Sequence, residues 1–155
     1  MKLVHYSPQL ITTLYSPRET DDSRVKPRGF WVSDDGCEDN WRSWCESEQF
    51  RIDIMAYAYD IDLNPDINLL TISSANELLD FTRSFLRSPM DPAIDIYAID
   101  WNRVTSEFDG IVISPYQREC RHELMWYYGW DCASGCIWNV DKIRIRGRVE
   151  PVLLS

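Results

Sequence analysis

Short apolar runs divided by polar punctuation dominate the chain, and two periods alternate along it. Residues 3–6, 30–32, 69–72, 111–113, 136–138 and 143–146 read as strands, brief apolar or alternating stretches near Gly, Pro, Ser or Asp. Strict alternation in Phe50-Arg51-Ile52-Asp53-Ile54, with apolar residues continuing to Tyr59, predicts another half-buried strand. Helical spacing replaces this pattern at three places. Trp41, Trp44 and Cys45 recur within 38–49, with Glu38, Arg42 and Glu46 between them, which predicts a short amphipathic helix. Ser74-Ala75-Asn76-Glu77 fits a Ser-x-x-Glu capping box, and Leu78, Leu79, Phe81 and Phe85 then predict a helix over 75–87. A third helix starts near Asp100 and covers Trp101 and Val104. Residues 116–133 follow neither period, and the polar stretch 16–28, with Pro near each end, reads as a surface loop. Strands with helices set between non-adjacent pairs indicate an α+β fold.

The chain has 155 residues, which predicts a single domain spanning 1–155 with a core that needs no disulfide or metal staple. A 45% hydrophobic content excludes a disordered chain. No apolar run approaches the roughly 20 residues that cross a bilayer. The first residues lack the apolar core of about 7–15 residues that a secretion signal carries, so a soluble, cytoplasmic protein without membrane partners is expected.

Charge narrows the partners further. The net charge is -9, and it is lopsided: residues 1–114 carry 10 Lys/Arg against 20 Asp/Glu. A phosphate backbone is repelled by such a surface, which argues against general nucleic-acid binding. An acidic protein of this kind can instead occupy the basic surface of a partner as a non-enzymatic inhibitor. Cys37, Cys45, Cys120, Cys132 and Cys136 are odd in number and irregular in spacing, which fits free thiols in a reducing compartment. Cys120, His122, Cys132 and Cys136 do not follow a usual zinc spacing, so no metal is expected. Nucleophile-elbow, metalloprotease, P-loop and dinucleotide-fingerprint motifs are all absent. Cys120 and His122, two apart, leave a thiol nucleophile with a nearby imidazole open as a further reading.

The candidate chemistry gathers in the first third of the chain. His5 is one of 2 histidines, and Tyr6 and Ser7 beside it supply a ring and a hydroxyl. Seven Trp residues are several times a typical content and most must be core, but Trp31, Trp41 and Trp44 lie in a strand–loop–helix unit where, besides packing, a flat heteroaromatic ligand can stack.

His5-Tyr6-Ser7 on a first strand, Arg28-Gly29-Phe30-Trp31-Val32-Ser33 on a second, and a Trp-bearing helix after it resemble the ADP-ribosyltransferase superfamily. The nearer comparison is its diphtheria-toxin and poly(ADP-ribose) polymerase branch. The opening His-x-Ser-Pro-x-x-Ile-Thr-x-Leu is also similar to that of small phage ADP-ribosyltransferases that act as anti-CRISPR proteins, and Phe108-Asp109-Gly110-Ile111-Val112-Ile113 resembles a penultimate-strand pattern of bacterial and phage members. The resemblance implies split antiparallel and mixed sheets of short strands with inserted helices. It implies NAD as cofactor, a macromolecular acceptor such as a protein, and a role as a phage or bacterial effector against host defence. His5 would hydrogen-bond a ribose hydroxyl, with Tyr6 and Ser7 beside it. Trp31 would take the strand-aromatic position, Ser33 would follow it, and Trp41 or Trp44 would form the opposing wall of a nicotinamide slot. The third motif departs from the pattern: Ser134 stands where the catalytic Glu belongs. Asp131, just upstream, would then supply the carboxylate, or transfer is lost and the protein only binds; Glu119 and Glu123 lie further upstream.

Overall fold

The computed structural model describes residues 1–14, 26–50, 55–87 and 98–149. Among these residues, seven strands join in one mixed sheet: β1 (Leu3–Ser7), β2 (Phe30–Asp34), β3 (Tyr57–Leu63), β4 (Leu69–Ile72), β5 (Gly110–Ile113), β6 (Ser134–Ile137) and β7 (Ile143–Val149). Their spatial order is β4-β5-β6-β2-β1-β3-β7. β4 and β5 run parallel, and every other neighbouring pair is antiparallel. Among the described residues, three α-helices complete the α+β arrangement: α1 (Trp41–Glu48), α2 (Ala75–Ser84) and α3 (Trp101–Glu107). The strands expected in split sheets thus form one continuous order. Among the described residues, no helix is long and apolar enough to cross a membrane.

Period-two alternation sorts the strand side chains into two apolar clusters. Val32, Ile137, Ile61 and Ile143 belong to one; Ile111, Ile113 and Cys136 belong to the other, with the helix residues Leu78, Phe81 and Val104. Leu69 and Leu70, adjacent on β4, pack against different clusters, as a pleated strand requires. The central strands approach closely. A Cβ on Gly135 would lie 2.5 Å from the Ile111 carbonyl oxygen, so only glycine fits at that point of β6.

Helix ends follow local chemistry. Ser74 Oγ accepts from the Glu77 N–H at 3.2 Å, and the Glu77 carboxylate reaches back to the N–H of Ser73 at 2.6 Å, a capping box displaced by one residue. The helix stops at Ser84 rather than at 87, because Phe85 leaves helical geometry and Leu86 bridges to Ile99. α1 starts at Trp41 rather than Glu38, because the Asn40 side chain caps the Ser43 N–H at 2.9 Å. Its end is set by Gln49 in the left-handed region at φ 52°.

The expected strand from Phe50 to Tyr59 is displaced. β3 begins only at Tyr57, Phe50 packs against Trp41 and Trp44, and residues 51–54 lie outside those described. Asp60 and Asp62 interrupt the apolar run on β3, yet Arg146 and Arg144 of β7 pair with them across the sheet at 3.4 and 3.1 Å. Of the expected loop 16–28, only residues 26–28 are described. Residues 116–133 form two tight 3-10 turns, Arg118–Cys120 and Met125–Gly129, which send Trp126, Tyr127 and Trp130 into the core.

Candidate functional site

β1 and β2 pair at Leu3 with Asp34 and at Val4 with Ser33, and their ladder ends there. Beyond it a side chain takes over. His5 Nδ1 lies 2.6 Å from the carbonyl oxygen of Trp31. A carbonyl only accepts, so Nδ1 carries the proton, and the neutral ring keeps Nε2 as a free acceptor. The ring stacks on Phe30 at 4.0 Å with 24° between planes. Burial lowers the His5 pKa, and the bond to Trp31 only partly opposes it, so the neutral form prevails at neutral pH.

A cavity of about 290 Å³ lies where the two strands part. Val4, His5 and Tyr6 line it from β1, and Trp31, Val32 and Ser33 from β2. Trp41 enters from the first turn of α1, while Trp130, Asp131, Cys132 and Ser134 close it from the chain entering β6. Trp31 and Trp130 meet edge to face at 5.0 Å, a packed aromatic wall.

The local tethers explain why these groups converge. Ser33 Oγ accepts from the Trp41 N–H at 2.9 Å and donates to Asp35 Oδ1 at 2.8 Å, which pins the start of α1 to the end of β2. Tyr6 Oη donates to the other oxygen of Asp35 at 2.5 Å. Burial and that carboxylate push the Tyr6 hydroxyl far above its ordinary range, so it stays protonated. Asp131 pairs with Arg121 at 3.4 Å, with both side chains partly exposed. Burial pushes the Cys132 thiol up to about 12, which leaves it a neutral wall rather than a nucleophile.

Six of the expected residues, His5, Tyr6, Trp31, Ser33, Trp41 and Asp131, therefore line one cavity. Two do not. Ser7 is buried at the end of β1, where its hydroxyl accepts from the Gln9 N–H at 3.1 Å. Trp44 sits one turn along α1 and stacks on Trp41 at 5.2 Å, so it backs the cavity wall without lining it. Of the two candidates for the opposing indole, only Trp41 lines the cavity. Ser134 does line the cavity, with its hydroxyl donating to the Cys132 carbonyl at 3.0 Å.

Sequence reasoning missed Trp130 and Lys26. Trp130 adjoins Asp131 in the chain, a signal that was present. Lys26 lies at the end of a polar stretch that gave none.

Other chemistries find little support. Cys120 is buried and its thiol is raised by that burial, while His122 is exposed and faces the Tyr128 ring at 6.0 Å. The two lie on a tight turn and the residues after it, not on one strand face. Among the described residues, no group of three or more His, Cys, Asp or Glu is gathered to hold a metal. Comparisons of the chain with protein-family models, curated proteins and solved structures returned no match.

Proposed function

We propose that the cavity binds the nicotinamide end of NAD and that the protein transfers ADP-ribose to a macromolecular acceptor, as the resemblance of its motifs implies. One observation carries this reading: an imidazole, three indoles and a carboxylate, distant in sequence, line a single cavity. Its volume, about 290 Å³, lies at the lower end of small-molecule sites, which suits one heteroaromatic ring and its sugar rather than a whole dinucleotide.

The residues divide the work by their chemistry. Trp31 and Trp41 line the cavity, and an indole face attracts a cationic ring by about 0.5–2 kcal/mol. His5, fixed by its bond to Trp31, presents Nε2 as an acceptor for a sugar hydroxyl. When bound, NAD supplies a glycosidic bond whose cleavage develops positive charge on the sugar. Asp131 provides negative charge in a partly enclosed wall and can accept a proton from the attacking group. Tyr6 and Cys132, both held neutral, add no competing charge.

The test is incubation with NAD, reading nicotinamide release and a mass gain of one ADP-ribose on an acceptor. Activity lost in His5→Ala and Asp131→Ala supports the reading. If NAD neither raises the melting temperature nor quenches Trp fluorescence, the reading fails.

The Arg121–Asp131 pair, together with Ser134 at the late-strand position, favours a second reading. Here the carboxylate is already engaged, no transfer occurs, and the acidic surface occupies a basic groove on a partner. Partner binding would then weaken steeply with salt and survive His5→Ala.

A further inference from the structure

One cation in the cavity wall is not used above. Lys26 lines the cavity, and its ammonium lies 5.2 Å from the centre of the Trp31 ring. Its stem passes Gly129, where a Cβ would lie 3.1 Å from Lys26 Cε and would press the lysine by a few tenths of an ångström. Lys26 is exposed as a whole residue, yet crowding around its ammonium lowers its pKa against the opposing pull of Asp131.

The charges around it do not cancel. Asp131 is engaged by Arg121, and no carboxylate among the described residues pairs with Lys26. His5, Tyr6 and Cys132 are neutral at neutral pH. Asp35, behind Tyr6, already accepts from two hydroxyls. Among the described residues, Lys26 thus places an ammonium in the wall of an aromatic cavity, with Asp131 acting on it only at longer range. Aromatic faces beside a cation are the pairing that a nucleotide needs: a ring to stack and a phosphate to neutralise.

We infer that Lys26 is the seat for a ligand's phosphate, set beside the ring that the indoles hold. The ligand class is a nucleotide. This deepens the NAD reading, resting on it for the identity of the ring but not for the phosphate.

The experiment is calorimetric titration of the full chain with nicotinamide mononucleotide, with nicotinamide riboside, which lacks the phosphate, and with ADP-ribose, which lacks the nicotinamide. The wild type should bind the mononucleotide at least about 10-fold tighter than the riboside, the scale of one charge-assisted hydrogen bond. Lys26→Gln should erase that gap. Lys26→Arg should retain it, and Gly129→Ala should narrow it by crowding an intact lysine. An unaltered melting temperature in Lys26→Gln confirms folding. Equal wild-type affinity for mononucleotide and riboside overturns the phosphate seat and leaves the NAD reading standing; so does a Lys26→Gln variant that weakens both equally. Lys26-dependent binding of ADP-ribose with no affinity for either nicotinamide compound keeps the seat and overturns the NAD reading. Binding of none of the three overturns both.

Discussion

His5 donates its Nδ1 proton to the carbonyl oxygen of Trp31 over 2.6 Å, doing with a side chain what the β1–β2 ladder no longer does with its backbone. His5→Phe keeps a ring against Phe30 but orphans that carbonyl. A loss of about 1–2 kcal/mol in urea unfolding is expected. The pH dependence has a definite sign. The folded-state pKa is lowered below 6.5, so the unfolded chain binds more protons once pH falls past that value. This contribution to stability is complete above pH 6.5 and is lost as pH falls from there towards the folded pKa. Denaturation midpoints at about pH 7.5 and about pH 5.5 should diverge more in the wild type than in His5→Phe.

Asp131 and Arg121 form a partly exposed pair, so removing its charge should cost little stability. Asp131→Asn is expected to change the unfolding free energy by less than about 1 kcal/mol. Nicotinamide release should nevertheless fall by about 100-fold or more, the scale of one preorganised electrostatic contact. Retained turnover in a folded Asp131→Asn protein would remove Asp131 from the mechanism.

Trp41 lines the cavity and Trp44 only backs it, although the two rings stack at 5.2 Å. Trp41→Ala should weaken NAD binding by about 2- to 30-fold, the range of one cation–π contact. Trp44→Ala should weaken it less, through loss of support behind Trp41. Fluorescence titration of both variants gives the ranking, and the reverse order would contradict the assignment of walls.

Much of this was legible from residue patterns, for physical reasons that can be named. The box at Ser74 and Glu77 announced α2 because capping satisfies backbone donors within four residues. β4 was legible because a short apolar run between turn residues has few other solutions. β3 was legible only as far as Tyr59, because its continuation through Asp60 and Asp62 depends on Arg144 and Arg146, more than 80 residues away, which pair with them across the sheet. The same distance effect governs the cavity. His5, Trp31 and Trp41 announced themselves as chemistry, but Lys26 reaches the cavity beside Gly129 and Trp31, neighbours that no local pattern reveals. Ser7 shares the His5 face of β1 by alternation, yet it lies past the cavity, where its hydroxyl accepts from the Gln9 N–H.

Asp34 makes a separate prediction about stability. Burial alone would raise its carboxyl, but the Ser114 hydroxyl at 2.6 Å and the N–H groups of Lys2 and Gly36 outweigh it and hold the pKa below its ordinary value. Asp34→Ala strands those donors in a region where Asp34 is 3% exposed, and should cost about 3 kcal/mol. Because the folded pKa is depressed, this stabilisation is present above pH 3.8 and is lost as pH falls through the folded value. The acid limb of the unfolding curve should therefore flatten in Asp34→Ala.

The gap beside His5 has stiff jaws. On its far side β1 is locked to β3 at His5, Tyr6 and Ser7, and β2 is locked to β6 from Phe30 to Ser33. Neither strand can retreat without tearing a ladder, so an occupant meets a rigid slot rather than a lid that folds around it. Discrimination there follows girth: a ring that fits is held at once, and the same ring with one added methyl presses on backbone that does not yield.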